Sequence, residues 1–254
     1  MQEKIREVLS GVIDPNTGKD LVSSKALKKV TTEDGKTTVQ IELDYPQGPV
    51  IEEMVRAKLV EAGIPADVKI SQNIIAHEVQ RGVKVFDSVR NIIAVSSGKG
   101  GVGKSTVSAN LALALQQEGA KVGLLDADVY GPSQPTMLGI TDKPYSVDGK
   151  TLEPMIAHGL QVASVGVLID PDQPMIWRGP LAVSALQQLL KQTNWKDLDY
   201  LIVDMPPGTG DIQLSLSQEV PLTGAVVVTT PQDIALMDAR KGLVMFEKVN
   251  VPIL

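Results

Sequence analysis

Asn91-Ile92-Ile93-Ala94-Val95-Ser96-Ser97-Gly98-Lys99-Gly100-Gly101-Val102-Gly103-Lys104-Ser105-Thr106 is the stretch on which the fold turns. Its first five residues form a nearly continuous apolar run, as a strand buried on both faces requires. Gly98-x-x-x-x-Gly103-Lys104-Ser105 then fits the phosphate-loop pattern. The glycines let successive backbone N–H groups curl around an anion. The helix expected from Lys104 to Glu118 adds the positive end of its dipole. In such a loop Lys104 reaches the β- and γ-phosphates of a nucleoside triphosphate and the Ser105 hydroxyl ligates Mg²⁺. ATP with Mg²⁺ is the expected ligand. Lys99 is one lysine more than the loop needs. It is either a solvated loop residue or a second phosphate contact, because like charges among glycines repel unless an anion neutralises them.

Downstream, Val122-Gly123-Leu124-Leu125-Asp126, Leu160 to Val165, Tyr200-Leu201-Ile202-Val203-Asp204 and Ala225 to Thr229 are further apolar strands. Helical patterns lie between them, at Leu181 to Leu190 and Ile234 to Val249. Strands apolar on both faces that alternate with helices predict a mostly parallel sheet flanked by helices, an α/β P-loop NTPase fold. Upstream the pattern differs. Ile5, Val8, Leu9 and Val12 recur at helical spacing, and Thr37 to Leu43 alternates like a half-buried strand. A helix is expected from Pro49 to Ala62, closed by Gly63 and Pro65, with a last strand at Val68-Lys69-Ile70. The expected organisation is a small α+β domain at 1–80, a linker at 81–90 and an ATPase domain at 91–254. Val251-Pro252-Ile253-Leu254 looks like a core strand just beginning, so the chain is expected to be cut short within its natural domain.

Two carboxylate sites fall where such a fold needs them. Asp204 ends an apolar strand beside the loop, the position of a Walker-B aspartate that holds Mg²⁺ through water. Met205-Pro206-Pro207-Gly208-Thr209-Gly210-Asp211 follows it, stiff and then flexible, as a switch sensing the γ-phosphate requires. Asp126 and Asp128 end another strand, and one of them can orient or activate the attacking water. Strand-end aspartates also cap turns and helices, which is the plainer reading of each.

Composition bounds the rest. The chain has 254 residues, a net charge of −6, two histidines and no cysteine. Its basic residues are scattered, which argues against a nucleic-acid partner. No apolar run approaches the roughly 18–20 residues that span a bilayer, so no membrane role is expected. A cytoplasmic protein is the expectation. His77 and His158 have no ligand-like partner in the sequence and are expected to be ordinary loop residues.

Gly98-Lys99-Gly100-Gly101-Val102-Gly103-Lys104-Ser105-Thr106 resembles the deviant Walker A loop of the MinD/ParA/nitrogenase-iron-protein class. Within it, Leu125 to Ser133, Trp177-Arg178-Gly179-Pro180 and Asp204 to Asp211 closely resemble the Mrp/ApbC iron–sulfur cluster carriers. Leu9-Ser10-Gly11-Val12-Ile13-Asp14-Pro15 looks like the small domain that precedes the ATPase in bacterial members. The resemblance implies a homodimer that sandwiches ATP, with Lys99 as the signature lysine reaching the partner subunit's nucleotide. It implies Lys104 as the loop lysine, Ser105 as the Mg²⁺ ligand, Asp128 as the switch I aspartate that positions water, and Gly208 as the switch II glycine. Slow hydrolysis would then act as a switch for loading clusters and delivering them to apo iron–sulfur proteins. The family holds its cluster between subunits with a Cys-x-x-Cys pair beyond the segment resembling Val251 to Leu254, so iron–sulfur ligands are expected only in the intact protein and none in this chain. A MinD-like or ParA-like positioning ATPase, acting on membrane or nucleoid, is the alternative.

Overall fold

A computed structural model describes residues 2–47, 49–80, 82–167 and 179–254. The chain divides into two units, residues 1–75 and 76–254. In the first, α1 (Gln2–Ser10) and α2 (Val50–Glu61) accompany three strands, β1 (Leu27–Glu33), β2 (Lys36–Leu43) and β3 (Asp67–Gln72). β1 and β2 pair antiparallel, and β3 joins β2 in parallel. The β1–β2 turn is Asp34-Gly35, both at positive φ (49° and 75°). That is the backbone of a two-residue hairpin whose twist matches its strands. Strand β1 was not among the sequence expectations, although Asp-Gly between two Thr-rich runs marks it. The alternation of β2 sends Val39, Ile41 and Leu43 inward, where Ile5, Leu9, Ile51, Val55 and Leu59 of the helices meet them.

The second unit is built on a six-stranded sheet in the order β6-β7-β5-β8-β4-β9. The strands are β4 (Val89–Ser97), β5 (Val122–Asp126), β6 (Met155–Ala157), β7 (Leu160–Ser164), β8 (Leu198–Asp204) and β9 (Gly224–Val228). All pairings are parallel except β6 with β7. The helices are α3 (Lys104–Gln117), α4 (Gln134–Met137), α5 (Gly179–Gln192), α6 (Asp211–Glu219) and α7 (Asp233–Lys248). Every residue of β5 is buried, and β8 is buried at all positions but Tyr200. Side chains such as Leu124, Leu198 and Leu201 each gain roughly 1.5–3 kcal/mol by leaving water.

Two sequence expectations need revising. The segment 81–90 is not a free linker. Val89 and Arg90 already lie in β4, where Val89 is buried and Arg90 pairs with Asp199 at 2.6 Å. Gln80 is buried as well, donating to the Ser217 carbonyl at 2.7 Å and accepting from the Leu222 N–H at 2.9 Å. Residues 76–80, expected with the first domain, therefore belong to the second unit. At the other end, Val251 is buried and Ala225 N–H donates to the Pro252 carbonyl at 2.8 Å, so these residues continue the sheet beside β9. Trp177 and Arg178 lie outside the described residues.

In the first unit Asp14 is buried, and its carboxylate accepts from the Tyr45 hydroxyl at 2.6 Å, the Asn16 N–H at 2.8 Å and the Thr17 hydroxyl at 2.8 Å. Burial pushes its pKa up, but the three donors outweigh it and leave it below the ordinary 3.8. The stability it contributes is present above that ordinary value and lost as pH falls through the folded one. Tyr45→Phe should raise the Asp14 pKa, read by carboxyl NMR, and cost about 1 kcal/mol in denaturant unfolding. An unmoved titration would contradict this assignment.

Candidate nucleotide site

Sheet register assembles the site. Val95 of β4 and Asp126 of β5 are both Cα partners of Asp204 in β8, so three strands end side by side. Chain reversals are tied together just beyond: Met205 N–H donates to the Val95 carbonyl at 3.0 Å, Ala127 N–H to that of Asp204 at 2.9 Å, and Gly208 N–H to that of Ser97 at 2.8 Å. The glycine loop leaves β4 at this edge and runs into α3. Gly101 and Gly103 take φ of 77° and 92°, a region that side chains with a Cβ rarely adopt. Gly103 is the N-cap and offers no side chain, so the first N–H groups of α3 have neither intrahelical acceptor nor side-chain cap. Such an end favours an anion.

Gly98 has a different reason. A Cβ there would stand 2.4 Å from the Asp238 carbonyl carbon and 2.7 Å from the Ala239 nitrogen, so α7 packs its backbone against the loop. Gly100, by contrast, faces open space. Val102 and Thr106 complete the loop, and Thr106 is exposed.

Lys104 is 6% exposed and Asp204 0%, and their Nζ and Oδ1 lie 2.6 Å apart. Asp128 Oδ2 is 3.7 Å from the same ammonium, and Ser105 Oγ is 3.2 Å from it. Ser108, one turn along α3 from Lys104, donates to Asp204 Oδ1 at 2.9 Å. Gln134 donates to Asp204 Oδ2 at 2.8 Å and to the Ser105 carbonyl at 2.9 Å. Thus the structure brings Lys104, Ser105, Asp128 and Asp204 together. Ser108 and Gln134 were missed. Spacing of four on one helix could have flagged Ser108, whereas nothing local marks Gln134. Gly208, at φ 101°, sits over Ser97 through its N–H. Lys99 is half-buried and has no ion-pair partner among the described residues, while its carbonyl accepts from the Ser97 hydroxyl at 2.9 Å.

Asp126 takes no direct part in this cluster. Its carboxylate accepts from the N–H groups of Asp128, Ser133 and Gln134 and from the Ser164 hydroxyl, at 3.0–3.2 Å, and so holds the loop that carries Asp128. Asp128 in turn accepts from the Tyr130 and Gly131 N–H groups. Burial, reinforced by the charge of Asp204, pushes the Asp126 carboxyl up to about 6 despite those donors.

Among the described residues no three His, Cys, Asp or Glu side chains gather to hold a metal. Mg²⁺ does not need such a cage. It takes oxygen from one or two side chains plus substrate phosphates and keeps several waters; the Ser105 hydroxyl is a ligand of that kind, and the Asp204 carboxylate and a buried, unpartnered Gln134 Oε1 are acceptors for its waters. The two histidines are exposed loop residues. No helix of the described residues is long and apolar enough to cross a membrane.

Residues 88–254 match the ParA family of NUBPL iron-transfer P-loop NTPases, and residues 2–72 match an iron–sulfur cluster assembly protein family. The chain is 51% identical over 267 residues to the iron–sulfur cluster carrier protein of Haemophilus influenzae, spanning all of this chain (100%) and 70% of that protein. It is 54% identical over 173 residues to the mouse iron–sulfur cluster transfer protein NUBPL, covering 67% of this chain and 54% of that one. Among solved structures it is similar to the ADP-bound nucleotide-binding protein of Archaeoglobus fulgidus, with a TM-score of 0.58 and 39% identity over 66% of this chain and 65% of that one.

Two substitutions separate the roles of the glycines. Gly98→Ala should lower stability by about 1–3 kcal/mol, as overpacking against backbone does, while Gly100→Ala should stay within roughly 0.5 kcal/mol. Equal losses in thermal unfolding would contradict the α7 contact. The Asp126 carboxyl should titrate near pH 6 in ¹³C NMR. Because its folded pKa is raised, the stability it contributes is full below pH 3.8 and declines as pH rises through 6. A titration at or below 3.8 would mean that its hydrogen-bond donors outweigh burial and the charge of Asp204, and would contradict this assignment.

Proposed function

The chain belongs to the NUBPL iron-transfer P-loop NTPase family, and from that premise we propose that it is the nucleotide switch of an iron–sulfur cluster carrier. It binds ATP with Mg²⁺ at Gly98–Thr106 and hydrolyses it slowly, in the cytoplasm, as a homodimer. The switch serves to load clusters and pass them to apo iron–sulfur proteins. The observation that carries this reading is the convergence of Lys104, Ser105, Asp128 and Asp204 on one sheet edge in front of an uncapped helix N-terminus. The two family matches, at 2–72 and 88–254, fall in order within the two units, 1–75 and 76–254, so a small assembly-type domain precedes the ATPase domain.

Each residue has a task that its position supports. Backbone N–H groups of Gly100 to Thr106 take the phosphate oxygens. Lys104 exchanges Asp204 for the β- and γ-phosphates, a trade between one buried anion and another. Mg²⁺, when bound, neutralises the phosphate charge as it shifts toward the leaving group. Ser105 and, through water, Asp204 would hold it. Asp128, kept on its loop by Asp126, orients the water that attacks the γ-phosphate. Gly208, free to change φ and tied to Ser97, senses whether that phosphate is present. Lys99, half-buried and without an ion pair among the described residues, extends to the partner subunit's nucleotide.

The cluster is cargo, and with no cysteine among its 254 residues this chain supplies no thiolate to hold it. Protein containing this chain should pass an anaerobically supplied cluster to an apo-acceptor in a nucleotide-dependent way, the cluster's thiolates coming from outside these 254 residues. Transfer that does not respond to nucleotide, or none at all, would overturn the carrier reading. For the nucleotide half, Lys104→Ala removes charge-assisted contacts of about 1.5–3 kcal/mol. ATP affinity by calorimetry should therefore fall roughly 10- to 150-fold, with circular dichroism confirming the fold. An unchanged affinity would place the phosphates elsewhere.

A further inference from the structure

Gln134 stands in the middle of the site with half of its hydrogen-bonding capacity unused. It opens α4 and is fully buried. Its Nε2 bridges Asp204 Oδ2 and the Ser105 carbonyl at 2.8 and 2.9 Å. Its Oε1 is buried without a hydrogen-bond partner, the only side-chain N or O atom among the described residues in that condition. An orphaned buried acceptor is costly and rare, so it calls for an explanation.

Turning the amide over does not remove the problem. Oε1 would then face a carboxylate oxygen and a carbonyl, acceptors both, and Nε2 would be the orphan. Nor can the side chain easily swing away. The Gln134 N–H and its neighbour Ser133 N–H are both held by Asp126 Oδ2, at 3.1 and 3.0 Å. The amide is therefore fixed with a donor face on Asp204 and Ser105 and an acceptor face awaiting a donor. Asp204 and Ser105 are the two residues that the proposed function gives to Mg²⁺. Water on that cation is a strong donor, because the metal's charge acidifies it.

We infer that Gln134 is a positioning residue for the cation: Oε1 accepts a hydrogen bond from metal-bound water while Nε2 holds Asp204 and Ser105. The residue also belongs to the loop carrying Asp128. Occupancy of the metal site is thereby linked to the placement of the water-orienting aspartate. The inference rests on Mg²⁺ and nucleotide binding at the glycine loop.

The test measures a ratio, not a rate. Fluorescent ADP is titrated into the wild type, Gln134→Met and Gln134→Glu, in excess Mg²⁺ and in EDTA. Methionine keeps the length and removes the amide, and glutamate keeps an acceptor. Gln134→Met should cut the gain in affinity that Mg²⁺ confers by about tenfold, as losing an outer-shell metal contact does, with affinity in EDTA within about twofold of wild type. Gln134→Glu should keep or enlarge that gain. An unchanged Mg²⁺ gain in Gln134→Met, or equal losses in both variants with and without Mg²⁺, would overturn the inference and leave Gln134 a packing residue. A second readout uses the wild type alone. In ¹⁵N-glutamine-labelled protein the Gln134 side-chain amide pair should shift when Mg²⁺ is added to the ADP complex, and a static pair would also overturn the inference. A wild type that binds ADP equally well in Mg²⁺ and EDTA would instead refute the underlying metal–nucleotide reading.

Discussion

Lys104 and Asp204 meet 2.6 Å apart where almost no solvent reaches, and neither charge would be stable there without the other. Removing one partner of such a pair typically costs about 3–5 kcal/mol, because the survivor is left buried and uncompensated. Ser108 and Gln134 exist at this spot to complete the bargain on Asp204, giving its two oxygens further donors. The pocket still carries three carboxylates, Asp126, Asp128 and Asp204, against one ammonium. That excess of negative charge repels a bare polyphosphate and favours one that arrives with a divalent cation. Burial raises the Asp126 pKa, and the charge of Asp204 adds to it.

The pair can form only because the sheet register delivers it. Asp204 aligns with Val95 on one side and Asp126 on the other, so the glycine loop and the loop after Asp126 emerge at one height. Buried β8 and β5 make that register rigid, since a slip would turn their apolar side chains away from the layers that receive them. Above the sheet, α7 presses on Gly98 closely enough to exclude a Cβ, which fixes where the loop begins. A rigid floor with glycine-rich connections on top is the arrangement a switch requires.

Much of this was legible from residue order. Apolar runs ending in Asp126 and Asp204 marked two strands of a mostly parallel sheet, and the glycine spacing marked the loop, because burial on both faces and left-handed backbone each leave a strong local mark. What escaped depended on tertiary partners. The Thr-rich β1 lacks a continuous apolar face, although Asp34-Gly35 announces its turn. The edge strand β6 is three residues long, too short for periodicity to register. Residues 81–90 look polar enough for a linker, but Arg90 and Gln80 satisfy their polarity with Asp199 and the end of α6, contacts that no local pattern reveals. The close approach of α7 to Gly98 likewise leaves no local mark, because Asp238 and Ala239 lie far along the chain. Gln134 carried no signal at all, because its meaning lies in an acceptor left without a donor.

The central claim is that Lys104 gives up Asp204 for phosphate. A crystal structure with Mg²⁺ and a non-hydrolysable ATP analogue tests it most directly. The account predicts phosphates within Gly98–Thr106 and Lys104 Nζ at about 2.7–2.9 Å from a β- or γ-phosphate oxygen, no longer paired with Asp204. A nucleotide seated elsewhere, with Lys104 still on Asp204, would contradict it.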